Sequence, residues 1–140
     1  IIKADDILFA TTRPLLKRYC LVDSKYNNQI CSTGFCVLRP NKDIILSKWL
    51  MFNIASSSFY SYISKLQQGT SYPAISDTYV KNYRIPVPLV EEQSRIVSIL
   101  DRFDALCNDL SCGLPAEIAA RQKQYEYYRD KLLTFKEKTA

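Results

Sequence analysis

The chain has 140 residues, 47% of them hydrophobic, with 19 Lys and Arg against 14 Asp and Glu and no histidine. That composition suits one domain, or one small domain plus an extended element, and argues against a disordered chain. No run of about eighteen apolar residues is present to span a membrane, and the opening IIKADD lacks the apolar stretch of a signal peptide, so a cytoplasmic protein is expected.

The positive charge is unevenly placed. Residues 1–90 carry 11 Lys and Arg against 5 Asp and no Glu, whereas residues 91–140 carry 8 against 9 Asp and Glu. A basic first part suits an anionic partner, nucleic acid being the commonest, and it equally suits a merely solvated surface. The first residue is Ile1, so a trimmed or C-terminal fragment is expected.

Ile7–Ala10 (ILFA) is short, apolar and bounded by polar pairs, and reads as a strand. Thr11–Pro14 is a turn. Leu16–Val22 reads as a second strand and Asp23–Asn28 as a polar loop. Thr33–Leu38 reads as a third strand, stopped by Pro40. Strands this close in sequence predict a small antiparallel or mixed sheet.

The periodicity then changes to that of helices. Ser47 is a candidate N-cap, with Trp49, Leu50, Asn53 and Ile54 on one face. Ser56–Ser58 interrupts, and Phe59, Tyr62, Ile63 and Leu66 mark a second helix ending by Gly69. This aromatic stripe is read as core rather than as a platform for stacking bases. Ser76 caps a short helix through about Val80. Pro86 and Pro88 hold Arg84–Val87 extended. Glu91 and Glu92 then sit in the first turn of a new helix, where negative charge suits the exposed amides.

Two heptad-like series follow. Ile96, Leu100, Phe103, Cys107, Leu110 and Leu114 form one. Leu114, Ile118, Arg121, Tyr125, Tyr128, Leu132 and Phe135 form the other. Such seams mark a helix packing along another helix. Pro115 predicts a kink, or two helices end to end, near 111–115. If wholly helical, residues 91–136 would span roughly 70 Å. A rod of that length cannot bury its seam on a small globule alone, so a second long helix is expected, from the same or another chain. The fold class is therefore α+β, a small sheet with short helices followed by a long coiled-coil helix.

Signals for catalysis are weak. There is no histidine, no clustered carboxylate set, no glycine-rich phosphate loop among three glycines, and no NPPY-type methyltransferase motif. No enzyme activity, cofactor or metal is expected. Cys31/Cys36 and Cys107/Cys112 are too widely spaced for the usual zinc pairs, and reduced, buried thiols are the expected state of the five cysteines. Arg13, Lys17 and Arg18 beside the first turn, Lys25, Asn27 and Asn28 in the polar loop, and Ser71 and Tyr72 after a helix are the candidate DNA contacts. Taken singly, each is better read as a solvated loop residue. Only their place in a positive segment favours the functional reading.

The segments DDILFATTRP (5–14), STGFCVLRPNK (32–42), GTSYPAIS (69–76), IPVPLVEEQSRIVSILDRFDAL (85–106) and GLPAEIAARQKQYEYYRDKLL (113–133) together resemble the specificity subunit of type I restriction-modification systems. The resemblance covers nearly the whole chain. It implies that residues 1–88 are the later part of a target-recognition domain, residues 89–136 a conserved helical spacer, and 137–140 a tail.

In that family two recognition domains each read half of a split DNA site. Helical spacers pair as an antiparallel coiled coil that engages methyltransferase subunits and, through them, the restriction subunit. The resemblance thus implies a non-catalytic protein that binds double-stranded DNA. The alternatives are a half-size subunit acting as a homodimer, an unrelated coiled-coil scaffold with an incidental basic half, and a nuclease.

Overall fold

The computed structural model describes residues 1–108 and 115–135. Strand β1 (Ile7–Ala10) lies at the centre of a three-stranded sheet, between β2 (Tyr19–Leu21) and β3 (Phe35–Leu38), and both pairings are antiparallel. Period-two alternation decides which face is covered. Ile7 opposes Leu38 and Phe9 opposes Cys36, and all four are buried on that face. The second strand is shorter than its sequence suggests. Pro14–Leu16 form a 3-10 turn instead, and Lys17 ends that turn in the left-handed region (φ 54°), which an extended strand cannot accommodate.

Helix α1 (Ser47–Ala55) stops at Ser56, whose hydroxyl accepts from the Phe59 amide at 3.3 Å and so caps α2 (Ser57–Leu66). The serine run is thus a helix-to-helix junction. Phe59 and Ile63 of α2 are fully buried against the sheet, with Phe59 edge-on to Phe9 at 5.2 Å, so the aromatic stripe is core as expected. Helix α3 (Asp77–Lys81) closes this core through Val80. Two capping expectations fail. Ser47 is inside α1, whose N-cap is Leu46, and Ser76 occupies the N-cap of α3 without a side-chain hydrogen bond.

The missing cap of α1 is supplied from afar. Helix α4 (Val90–Asn108) begins after the extended arm, with Glu91 and Glu92 in its first turn. One turn in, Gln93 is fully buried. Its Oε1 accepts from the Leu46 amide at 2.9 Å, and its Nε2 donates to Ile44 O at 2.9 Å and Pro88 O at 2.8 Å. The Trp49 indole donates to Pro86 O at 2.9 Å, and Lys48 pairs with Asp101 at 2.6 Å. The Pro-x-Pro arm is therefore bolted to α1 by side chains. Gln93→Leu should cost about 2–4 kcal/mol, because it strands a buried amide and two carbonyls. Urea unfolding measures this, and a cost under about 0.5 kcal/mol would show that the clamp is not used.

Helix α5 (Pro115–Leu132) does not continue α4 as a rod. It runs back along α4. Phe103 stacks on Tyr128 at 6.0 Å, and the Cys107 thiol approaches Arg121 O at 3.8 Å. Trp49, Phe52, Ile96, Val97, Leu100, Tyr125 and Leu133 form one core shared by α1, α4 and the end of α5. Much of the seam is therefore closed within the chain. Pro115, the first residue of α5, has no amide hydrogen to continue a preceding helix but suits a helix's first turn. The expected kink near 111–115, with Leu110 and Leu114, lies outside the described residues.

Asp6 is almost fully buried, and Arg39 reaches it with two donors, Nε at 2.8 Å and Nη2 at 2.7 Å. Burial alone would push the Asp6 carboxyl up. The Arg39 hydrogen bond, the Lys3 amide and the nearby positive charges outweigh it and hold the carboxyl below its ordinary 3.8. A group depressed in the folded state stabilises above its unfolded value and loses that contribution as pH falls through the folded one. Stability should therefore fall as acid is added below about pH 4, and Asp6→Asn should flatten that limb in a thermal melt series. Among the described cysteines only Cys36 is buried, its thiol pushed up to about 12 chiefly by burial. Cys20 is exposed, and Cys31 and Cys107 are partly so, which corrects the expectation of uniformly buried thiols. Cys20 lies on β2, Cys31 in a loop and Cys107 near the end of α4, and none of the three is among the buried core residues.

Candidate nucleic-acid interface

The proposed contacts separate into two groups at opposite ends of β1. Residues 11–18 follow the end of β1, whereas residues 23–28 follow β2, beside the chain start, where Asn28 N donates to Ile2 O at 2.8 Å. The strand between them sets a separation of roughly 10 Å.

At the first end, the connection from β1 to β2 is a tight basic turn. Arg13 (φ 47°) and Lys17 (φ 54°) both lie in the left-handed region and flank Pro14–Leu16. Such a conformation costs a non-glycine residue about 1 kcal/mol or more, and persists where surrounding contacts impose it. Those contacts are on view. Leu16 N donates to Arg13 O at 3.0 Å, Lys17 N to Pro14 O at 3.1 Å, and Arg18 Nη2 to Thr12 O at 2.9 Å.

The loop 68–74 docks against this turn. Gln68 and Ala74 exchange two backbone hydrogen bonds at 2.8 Å, and Arg13 N donates to Pro73 O at 2.7 Å. Gly69 allows the loop to close. Its φ is +92°, and a Cβ there would meet Tyr72 O at 3.1 Å. The closure places the exposed Tyr72 ring under the Arg13 guanidinium at 4.6 Å, with Ser71 exposed next to it. Lys17 Nζ lies 5.2 Å from the Tyr60 ring centre. Arg13, Lys17, Arg18, Ser71 and Tyr72 therefore come together.

The charges at this end are available. Arg39, Lys42, Lys48 and Lys81 each have an aspartate partner. Arg13, Lys17 and Arg18 make no ion pair among the described residues. A cleft of about 250 Å³ opens between turn and loop, lined by Arg13, Leu15, Leu16, Gln67 and Pro73. Leu15, Leu16 and Gln67 are not among the contacts expected from the sequence. The motif RPLLKR, two leucines bracketed by three cations, was the available signal for the leucines. Nothing in the spacing pointed to Gln67.

The second group is tied into structure. Asn27 Oδ1 accepts from the Ala4 amide at 3.1 Å, and Asn28 holds a left-handed φ of 64°. Lys25 is fixed by Asp23, whose carboxylate accepts from its amide at 2.9 Å, and its ammonium lies 5.0 Å from the Tyr26 ring centre. These residues clasp the chain start and do not join the basic turn.

The helical seam residues also divide. Ile96, Leu100 and Tyr125 are buried, and Phe103, Ile118 and Leu132 are partly covered. Tyr128 and Phe135 retain exposed surface, as do Leu106 and Tyr127. Arg129, unremarked in the sequence, is buried on α5, paired with Asp130 at 2.9 Å and 5.6 Å from the Tyr125 ring centre. Among the described residues no His, Cys, Asp and Glu group could hold a metal ion, and no helix is long and apolar enough to cross a membrane.

Comparison with known proteins gives a consistent picture. The family model of the type I restriction modification DNA specificity domain matches residues 1–120. The type I restriction enzyme EcoR124I/EcoR124II specificity subunit of Escherichia coli is 45% identical over 96 residues, covering 69% of this chain and 24% of its own length. The crystal structure of the HsdS subunit from Thermoanaerobacter tengcongensis superposes with a TM-score of 0.67 at 38% identity, covering 91% of this chain and 32% of that one. A chain from a structural study of complex assembly and conformational transition of the type I R-M system gives 0.71 at 37% identity, covering 88% and 31%. The chain thus spans about a quarter to a third of the proteins it resembles. With 120 residues matched and the α+β architecture shared, it belongs to the family of type I restriction modification DNA specificity domains.

Proposed function

We propose that this chain is a DNA-recognition segment of a type I specificity subunit, binding one half of a bipartite site in double-stranded DNA without catalysing a reaction itself. The observation that carries the reading is the basic turn. Arg13, Lys17 and Arg18, without carboxylate partners among the described residues, share one end of the sheet with Tyr72 and Ser71, in a chain of the DNA specificity family. Cations at such a rim position a domain on phosphates, while neighbouring polar groups reach base edges. Lys25, Asn27 and Asn28 would meet DNA only if the duplex passed along the sheet to its other end.

In this reading residues 1–88 act as the recognition part and 89–136 as the spacer. The outer faces of α4 and α5, with Leu106, Tyr127, Tyr128 and Phe135 exposed, offer surface for methyltransferase subunits and for a second spacer helix. The setting is the cytoplasm, where the genome is met. Binding to a duplex, followed by anisotropy over a salt series, tests the core of the proposal. Phosphate contacts give a log–log slope near −0.9 per contact, whereas a flat slope at every sequence tried would count against it.

A further inference from the structure

The basic turn carries a feature that phosphate binding does not require. Leu15 and Leu16 are 44% and 60% exposed. They stand at the tip of the turn, between Arg13 on one side and Lys17 and Arg18 on the other. The turn cannot easily retract them. Pro14 is buried and fixes its own φ, two left-handed residues flank the tip, and three hydrogen bonds close it. Behind the tip a cleft of about 250 Å³, lined by both leucines with Arg13, Gln67 and Pro73, leaves part of each leucine uncovered. The result is a rigid apolar prow with positive flanks.

We infer that Leu15 and Leu16 form a wedge that enters the minor groove of bound duplex DNA and partly unstacks one base step. Three arguments select this occupant. The flanking cations match a polyanion, so the apolar tip would be delivered to DNA by its own neighbours. Apolar wedges beside Arg and Lys are the arrangement with which minor-groove proteins open a base step and bend the duplex. An arginine such as Arg13, held by Tyr72 beneath it, suits the strongly negative potential of a narrowed minor groove. The inference rests on the proposed DNA-binding role and adds to it a deformation of the DNA, and hence sequence preference at steps that unstack readily.

The test uses the full chain and duplexes carrying the half-site found by methylation mapping, with 2-aminopurine placed at successive steps. The wild type should raise 2-aminopurine fluorescence at one step. The double variant Leu15→Ser/Leu16→Ser should bind about tenfold more weakly and lose the signal, with an unchanged salt slope, because no charge is removed. Leu15→Met/Leu16→Met should restore both. A duplex already unstacked by a mismatch at that step should narrow the difference between wild type and the serine variant. Equal affinity and equal fluorescence for wild type and the serine variant would overturn the wedge while leaving DNA binding intact. So would weaker binding with no fluorescence change at any step, which would mean an apolar contact made without unstacking. Weaker binding accompanied by a lower melting temperature would assign the leucines to folding instead. Absence of salt-dependent binding by the wild type would remove the DNA-binding reading itself.

Discussion

Replacing Arg13, Lys17 and Arg18 together by Gln should weaken DNA binding by about a hundredfold or more at physiological salt and reduce the salt slope by up to about 3. The size follows from counterion release. Each lost phosphate contact removes about 0.9 from the slope, and three act side by side on one turn. All three side chains are exposed and unpaired with acids among the described residues, so the fold should survive. Losing the Arg18 hydrogen bond to Thr12 O should cost about 0.5–1.5 kcal/mol, so a melting curve accompanies the binding assay. The matched control is Lys25→Gln, at the other end of the sheet, which should change the slope by less than about 1. If the triple variant kept the wild-type slope while Lys25→Gln lost most of it, the interface would have to be moved to the loop after β2.

The largest stability effect is expected at Trp49. This side chain is fully buried where α1, α4 and the end of α5 meet, lies edge-on to Phe135 at 5.9 Å, and donates to Pro86 O at 2.9 Å. Trp49→Ala should cost about 3–5 kcal/mol, since a large cavity opens under two helices. Trp49→Phe keeps much of the apolar area and loses the bond to the arm. It should cost about 1–3 kcal/mol through the stranded Pro86 carbonyl. Trp49 is the sole tryptophan, so unfolding of both variants must be followed by circular dichroism. A cost below about 1 kcal/mol for alanine would mean that α4 and α5 contribute little to the folded state.

The elements with strong local signals were legible. The ILFA strand, the stripe at Phe59 and Ile63, and the start of α4 at Glu91 and Glu92 follow from alternation, helical spacing and charge at a helix N-terminus. The seam at Ile96, Leu100 and Tyr125 was legible too, but not its partner. A heptad pattern states that a helix packs on a helix and is silent on which one. Here the partner is the next helix of the same chain.

The turn at Arg13–Lys17 was hidden for a different reason. Its shape depends on two non-glycine residues in a left-handed conformation, held by hydrogen bonds within the turn and by the docked loop 68–74. The clamp at Gln93 joins residues more than forty positions apart, and no window of sequence displays it. Of the candidate interface, the residue types were visible and their grouping was not. Arg13 meets Tyr72 only because Gly69 lets a distant loop fold back.

The return of α5 to Trp49 bears on how the protein is made. The core around Trp49 and Phe52 needs Tyr125 and Leu133, which the ribosome adds roughly eighty residues later. At 5–20 residues per second that interval is on the order of 4–16 s. Through its later part, once Val80 has been added, α1 carries an incompletely covered tryptophan and phenylalanine beside a sheet whose own core is already available. The nascent chain therefore passes through a state with one finished half and one sticky half, and that interval is when a chaperone, or a second nascent copy, has most to bind.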